Sequence, residues 1–154
     1  MDVESVKRYF KLEDGSEIES LVNELPPRFL EPLTISGIRV DLIEPGRVVC
    51  TMKIPPRLLN SYNSLHGGAT ATLVDLLGSA AIYAAGAPSV GVSVEINVTY
   101  LDAAYADEEI EIDSRTLRVG KAVAAVTVEF RKKKTGKVFA IGRHTKYLAI
   151  TSKL

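Results

Sequence analysis

Two features of one short stretch, residues 66–85, could do chemistry. The stretch opens with His66, Gly67 and Gly68, and glycine has no side chain to cover the first amide N–H groups of a helix. Such N–H groups, at the positive end of a helix dipole, attract a developing negative charge. Asp75 is the only acidic residue of the stretch, and a carboxylate among apolar residues is costly unless it is paired or used. The stretch therefore predicts an anion-stabilising end and a candidate base.

These two features cannot meet within one chain if the stretch is a helix. Residues 67–85 contain no proline and many Ala and Leu residues, which favours a helix, and apolar residues all round it predict burial. Asp75 then lies about 13 Å along the axis and about 180° round it from His66. If both groups act on one small substrate, two copies of the protein must build the site.

Alternating apolar residues on both sides of this helix predict an α+β domain with an antiparallel sheet of about six strands. A hairpin over residues 35–54 precedes the helix, and short turns join most of the later strands. Those strands are expected at 92–100, 110–119, around 126–130, and 138–150. One sheet covers only one side of the helix, which again favours pairing with a second copy.

The chain has 154 residues, of which 46% are hydrophobic and 25% charged, so it can bury one core. Residues 1–32 are interpreted as a charged helical arm that Pro26 and Pro27 end, with Phe29 and Leu30 as anchors. Residues 33–151 form the domain. The final tripeptide, Ser152-Lys153-Leu154, matches the address read by the peroxisomal import receptor, so we expect the peroxisome matrix as the location.

Composition also excludes several classes of function. The net charge is zero, which argues against a nucleic-acid or anionic-membrane partner. Asp75 inside the long helix, with no basic flank, argues against a membrane span. Cys50 is the only cysteine and His66 and His144 the only histidines, so we expect no disulfide, no metal and no cofactor. Cys50 itself is predicted to pack inside a strand.

Four motifs taken in order resemble the hotdog-fold acyl-CoA thioesterases. They are the His-Gly-Gly leader, the helix start at residues 69–75, the strand at 92–100 and Gly-Arg-His-Thr-Lys at 142–146. The likeness covers residues 33–150 and is greatest to the phenylacetyl-CoA-thioesterase-like (PaaI-type) branch, which includes the small human thioesterase superfamily members. The resemblance implies a hotdog fold, in which a sheet wraps a central helix, and hydrolysis of acyl-CoA to a carboxylic acid and coenzyme A.

The resemblance also implies a homodimer, usually paired into a homotetramer, with active sites between subunits. Asn60 and Gly67 match the residues that orient the thioester carbonyl in one subunit. Asp75 and Ser93 match the base or nucleophile and its helper in the other, and His66 matches the histidine beside them. The coenzyme A portion of the substrate should lie along Tyr100, Leu101, Asp102, Ala103, Ala104, Tyr105, Arg118, Val119, Gly120, Lys121, Ala122 and Val123, with Tyr147 near the nucleotide end.

The residues themselves support this chemistry. The Gly67 N–H would stabilise an oxyanion, by about 3 kcal/mol for one donor, and Asn60 can add a second donor. Asp75 could take a proton from water or attack the carbonyl, and the sequence does not separate these routes. The chain has no Gly-x-Ser-x-Gly elbow, and no Ser-His-Asp set can be assembled from the sequence, so we do not expect a serine hydrolase.

Charge alone suggests further roles for basic residues. The candidates for binding coenzyme A phosphates are Arg118, Lys121, Arg143 and Lys146. The run Lys132-Lys133-Lys134, with Lys137, is more typical of a solvated turn.

Purely structural roles for these residues, and activities other than hydrolysis, stay open at this point. His66 could only position its loop, Ser93 could be an outward polar residue, and Asp75 could form a structural ion pair. A non-catalytic acyl-CoA-binding protein and a hotdog hydratase or dehydratase are alternatives. An intact buried base argues against the first, and the place of Asp75 in the helix argues against the second. The preferred acyl group is not defined by the sequence.

Overall fold

The structure, a computed structural model, describes Val3 and residues 15–148. Its contacts divide the chain into two compact units, Met1–Leu30 and Glu31–Leu154. Helix α1 (Gly15–Glu24) belongs to the first unit and is the described part of the predicted arm. The predicted helix over residues 4–14 and the tripeptide 152–154 lie outside the described residues, so the peroxisomal location stays a prediction.

The second unit is a six-stranded sheet with one long helix. A short helix, α2 (Leu30–Ile35), leads into it. The elements that follow are β1 (Arg39–Glu44), β2 (Arg47–Lys53), α3 (Gly67–Ala84), β3 (Val92–Tyr100), β4 (Glu109–Val119), β5 (Val123–Lys132) and β6 (Val138–Tyr147). The strand order is β1-β2-β4-β5-β6-β3, and all five pairings are antiparallel. This architecture confirms the predicted α+β fold and its strand number.

Two details at the ends of these elements differ from the predictions. Strand β6 ends at Tyr147, whereas the apolar pattern had suggested Ile150. Of the two residues predicted to anchor the arm, Leu30 is 56% exposed and Phe29 is half-buried.

The β1–β2 hairpin forms where the alternating pattern predicted it. Val48, Cys50 and Met52 all point into the core from β2, because successive side chains of a strand face opposite sides. Burial raises the pKa of Cys50 to about 11, with a smaller contribution from Asp41. Cys50 is therefore a neutral core residue at physiological pH, as its strand position suggested.

Helix α3 buries only one of its faces in the single chain. Its core contacts come from Leu73, Val74, Leu77, Ala81 and Ile82, which are at most 7% exposed. The opposite face is open: Tyr83 is 68% exposed and the Asp75 side chain 42%. One sheet therefore covers one side of the helix, as the sequence predicted for a single chain.

Two glycines let α3 pass close over β6. A Cβ on Gly142 would overlap Cγ2 of Val74, and a Cβ on Gly78 would lie 2.9 Å from Nδ1 of His144. Neither position leaves room for a side chain. The close crossing places His144 directly beneath the middle of the helix.

Strand β3 is an open edge of the sheet. It pairs with β6 on one side only, and its apolar residues Val92, Val94 and Ile96 are 59%, 65% and 37% exposed. Unpaired backbone groups beside exposed apolar side chains favour the addition of another strand. Within the described residues, no helix is long and apolar enough to cross a membrane.

Candidate active site

A cleft of about 470 Å³ lies at the N-terminal end of α3. Seven of the residues singled out in the sequence line it, namely Asn60, Gly67, Tyr100, Leu101, Asp102, Ala103 and Ala104. The other lining residues are Ser64, Leu65, Thr70 and Phe139. The structure thus brings the two carbonyl-orienting candidates together with the first coenzyme A segment.

The first turn of α3 presents one open amide to this cleft. His66 is the N-cap, and its Nδ1 accepts a hydrogen bond of 2.9 Å from the Gly68 N–H. The Tyr100 hydroxyl donates a hydrogen bond of 2.7 Å to the Gly67 carbonyl. These contacts hold both ends of the peptide between Gly67 and Gly68. The Gly67 N–H donates to no other residue of the described chain, so it is available to a ligand.

His66 therefore has a structural role, which was one of the two left open. A nitrogen that accepts from a backbone amide carries no proton itself, so Nδ1 is bare in this arrangement. The exposed Nε2 is the atom left to carry the ring proton of the neutral side chain.

Hydrogen bonds within the loop fix the orientation of the Asn60 side-chain amide, so its oxygen and nitrogen positions can be assigned. Its Oδ1 accepts from the backbone N–H groups of Tyr62 at 2.9 Å and Ser64 at 3.2 Å. Because only an oxygen can accept these bonds, the NH₂ group must be at the other position, and one of its protons reaches Ser64 Oγ at 3.0 Å. The second proton remains for a ligand in the cleft.

A second group of polar residues surrounds Asp75 in the middle of α3. Ser93 Oγ, at the start of β3, donates to Asp75 Oδ1 at 3.1 Å. His144 Nε2, on β6, lies 2.9 Å from Ser93 Oγ and 3.4 Å from the same Oδ1. Asp75 and Ser93 thus meet within one chain, as the resemblance implied for one subunit.

The structure brings Ser93, His144 and Asp75 into contact, a set that the sequence did not reveal. Their order differs from that of a serine hydrolase, in which the acid and the serine contact opposite nitrogens of the ring. Here both contact Nε2. Because Ser93 gives its one proton to Asp75, its oxygen accepts from His144, and Nε2 carries the ring proton.

His144 is fully buried, and its environment keeps it neutral. Burial and the nearby Lys146 ammonium lower the pKa of His144, and they outweigh Asp75 and the Val74 carbonyl, which raise it. A neutral ring with its proton on Nε2 donates toward Asp75 and Ser93. It does not act as a base toward the serine.

Lys146 also belongs to the group around Asp75, whereas its charge had suggested contact with a coenzyme A phosphate. It is 4% exposed, donates to Ser79 Oγ at 2.6 Å and lies 3.9 Å from Asp75 Oδ1. A buried ammonium directed at the helix does not fit a coenzyme A phosphate, so that assignment is corrected.

Neither His144 nor Lys146 was connected with Asp75 from the sequence. The signal lies in the alternation of β6, where Gly142, His144 and Lys146 share the helix-facing side of an otherwise apolar core. Polar residues on a buried strand face require partners there. Only the position of the helix identifies the partner as Asp75.

The remaining candidates for coenzyme A contacts lie on exposed surface. The turn at residues 118–123 joins β4 to β5, and Gly120 N–H donates to the Val123 carbonyl at 2.8 Å. Arg118, Lys121 and Arg143 are exposed and form no ion pair with any residue that the structure describes. Tyr105 and Tyr147 are 52% and 44% exposed.

The predicted solvated lysine turn is largely ion-paired. Lys132 contacts Glu108 at 3.3 Å, Lys133 contacts Glu109 at 3.3 Å, and Lys137 contacts Asp102 at 2.9 Å. The last contact, with the Ala103 N–H, lowers the pKa of Asp102 at the edge of the cleft. No group of three or more potential metal ligands is found in the described part of the chain.

The two polar groups are separate within one chain. None of the residues around Asp75 lines the cleft at Gly67. The cleft offers hydrogen-bond donors, and its one carboxylate, Asp102, is paired with Lys137. The Asp75 group offers a half-exposed carboxylate but does not lie at the N-terminal end of a helix. Each group holds one half of what acyl transfer requires.

Comparisons with known proteins agree with these features. The family model described as Thioesterase superfamily matches residues 62–139. Acyl-coenzyme A thioesterase 13 of Mus musculus is 42% identical over 121 residues, which are 79% of this chain and 83% of the relative. The Homo sapiens protein of the same name is 43% identical over 104 residues, 68% of this chain and 74% of the relative. The crystal structure of zebra fish thioesterase superfamily member 2 superposes with a TM-score of 0.76 at 38% identity, covering 86% of this chain and 94% of that one.

Proposed function

Because this chain belongs to the thioesterase superfamily, we propose that it hydrolyses acyl-CoA thioesters to a carboxylic acid and coenzyme A. The names of the mouse and human relatives support this substrate class. The observation that carries the proposal is that the hydrogen-bond donors and the carboxylate lie in two separate parts of the chain. Free donors face the cleft at Asn60 and Gly67, and a held carboxylate lies elsewhere at Asp75.

We further propose that two copies join through β3 to complete each site. Ser93 lies near one end of β3 and Tyr100 at the other, seven residues or about 23 Å apart in an extended strand. If two β3 strands pair antiparallel about their centres, the Ser93 end of one lies beside the Tyr100 end of the other. The Asp75 group of one copy then faces the cleft of its partner. The open edge and exposed apolar residues of β3 support this arrangement. We also propose that two such dimers pair into a tetramer. The exposed face of α3, which includes Tyr83, supports this further pairing.

In the proposed reaction, the thioester carbonyl accepts hydrogen bonds from the Gly67 N–H and the Asn60 amide of one copy. Asp75 of the other copy removes a proton from water, and the water oxygen bonds to the carbonyl carbon. The resulting oxyanion stays on the two donors. When it collapses, the carbon–sulfur bond breaks, and the coenzyme A thiolate leaves with the electron pair and takes up a proton. Direct attack by Asp75 is a second route to the same products.

Tyr100 is expected to affect this step through Gly67. Tyr100→Phe removes the hydroxyl that holds the Gly67 carbonyl but keeps the ring, so the first turn of α3 loses one of its two restraints. One neutral hydrogen bond contributes about 1 kcal/mol, which corresponds to a decrease of about fivefold in kcat. Steady-state kinetics with one acyl-CoA checks this value. A variant as fast as wild type would show that the hydroxyl does not position the amide.

The experiment that tests the proposed activity is release of free thiol from a panel of acyl-CoA esters. The panel includes aromatic, medium-chain and long-chain acyl groups, since the preferred group is open. We expect turnover of at least one ester, with coenzyme A and acid formed in equal amounts. Coenzyme A ester binding without any release of thiol would instead support the alternative of a non-catalytic acyl-CoA-binding protein. Hydration of an enoyl ester with the thioester intact would support the hydratase alternative.

A further inference from the structure

Lys146 is buried at a position where a lysine is unusual. Lys146 is 4% exposed, and a lysine is almost never buried to this extent unless it is paired. Its shortest contact is with a neutral group, Ser79 Oγ at 2.6 Å, and the carboxylate of Asp75 is farther away, at 3.9 Å. Ser79 Oγ in turn donates to the Asp75 backbone carbonyl at 2.7 Å. Ser79 therefore ties the lysine to the turn of α3 that carries Asp75.

All the donors around Asp75 approach one of its two oxygens. Ser93 Oγ, His144 Nε2 and Lys146 Nζ lie 3.1, 3.4 and 3.9 Å from Oδ1. No residue of the described chain donates to Oδ2. A carboxylate held in this way has one oxygen occupied and the other free to accept a proton.

We propose that Lys146 is a positioning residue that, with Ser93 and His144, holds Asp75 by Oδ1 and leaves Oδ2 as the oxygen that takes the proton from water. This inference rests on the proposed thioesterase function. Lys146 contacts neither water nor substrate in this account, and it acts only through the orientation and charge balance of Asp75.

The surroundings of Lys146 favour this role over a structural one. Burial lowers the pKa of Lys146 and outweighs the opposing effect of Asp75, so burying this ammonium costs stability. The groups facing it are Asp75 and Ser79 on α3, His144 on β6 and Ser93 on β3, and its neighbour on β5 is Ala124. Asp75 is its only acidic neighbour among these groups. A costly charge beside the proposed base is more readily explained by a role in the reaction than by folding.

The test compares Lys146→Met with wild type on two thioesters of the same acid, one of coenzyme A and one of N-acetylcysteamine. Methionine fills a similar volume without charge. We expect kcat to fall at least about tenfold with both esters, with KM within about threefold, because a misplaced base slows the chemical step and leaves binding intact. Lys134→Met removes an exposed lysine that makes no ion pair in the described structure, and it should match wild type.

The outcomes separate the competing roles. A loss seen only with the coenzyme A ester, or confined to KM, would assign Lys146 to phosphate binding and overturn the proposal, since N-acetylcysteamine esters carry no phosphate. An unchanged kcat with both esters would also overturn it. If Lys146→Met does not fold, Ser79→Ala tests the proposal instead. This variant keeps the Lys146 charge but removes the hydroxyl that Lys146 Nζ contacts. We expect kcat of this variant to fall about threefold, and equality with wild type would contradict the proposal. Absence of hydrolysis by wild type and Lys134→Met would refute the thioesterase function itself.

Discussion

Asp75→Asn is expected to lower kcat by about 10³-fold, within the range typical for loss of a general base. The amide has nearly the same shape, so Oδ1 can still accept the hydrogen bond from Ser93. It cannot accept a proton from water or form an acyl intermediate at neutral pH. The substitution leaves the buried Lys146 ammonium without its acidic neighbour, so the thermal midpoint should also fall. Thiol release and a thermal melt on the same preparation measure both quantities.

The control for this variant is Asp107→Asn. Asp107 is exposed and pairs only with Lys53, at 2.9 Å, on the surface. Removing its charge should leave kcat within about twofold, since surface ion pairs contribute little. If Asp75→Asn retained more than a tenth of wild-type turnover while Asp107→Asn matched wild type, Asp75 could not be the base or the nucleophile.

Asn60→Asp is expected to lower kcat by a similar factor, but for a different physical reason. The aspartate keeps the oxygen that accepts from Tyr62 and Ser64, so the loop should stay folded. It removes the NH₂ donor and places a negative charge where the oxyanion develops. Loss of one such donor costs about 10²- to 10³-fold in kcat, and the added charge should increase the loss.

Asn63→Asp is the matched control, because it adds the same charge three residues away in the same loop. Asn63 is exposed and has a positive φ of 57°, a conformation that aspartate also tolerates. We expect it to retain at least half of the wild-type kcat. Equal losses in the two variants would mean that a general electrostatic effect of the loop, and not the Asn60 donor, stabilises the reaction.

Much of the fold was predictable because its signals are local. The period of two along β2 and β3, and the absence of proline between Gly67 and Ala85, identify strands and helix without reference to the rest of the chain. The resemblance to hotdog thioesterases is confirmed by the family match and the mouse and human relatives. The same resemblance is what named Asn60, Gly67, Asp75 and Ser93 as candidates before the structure was considered.

The parts that the sequence did not predict depend on which elements cross. His144 and Lys146 lie about seventy residues from Asp75 in the chain, and only the close crossing of α3 over β6 brings them together. The charge of Lys146 favoured an exposed phosphate contact, because charge alone does not indicate which face of a strand is covered.

The most direct test of the central claim is a hybrid of two inactive variants. Asp75→Asn and Asn60→Asp chains carrying different affinity tags are expressed together, and hybrids are isolated through both tags. If each site takes its donors from one copy and its base from the other, one of the two sites in a hybrid dimer is intact. We then expect about half of the wild-type kcat per dimer, from parents that are each nearly inactive. A hybrid as inactive as its parents would show that donors and base act within one chain, and would contradict the account.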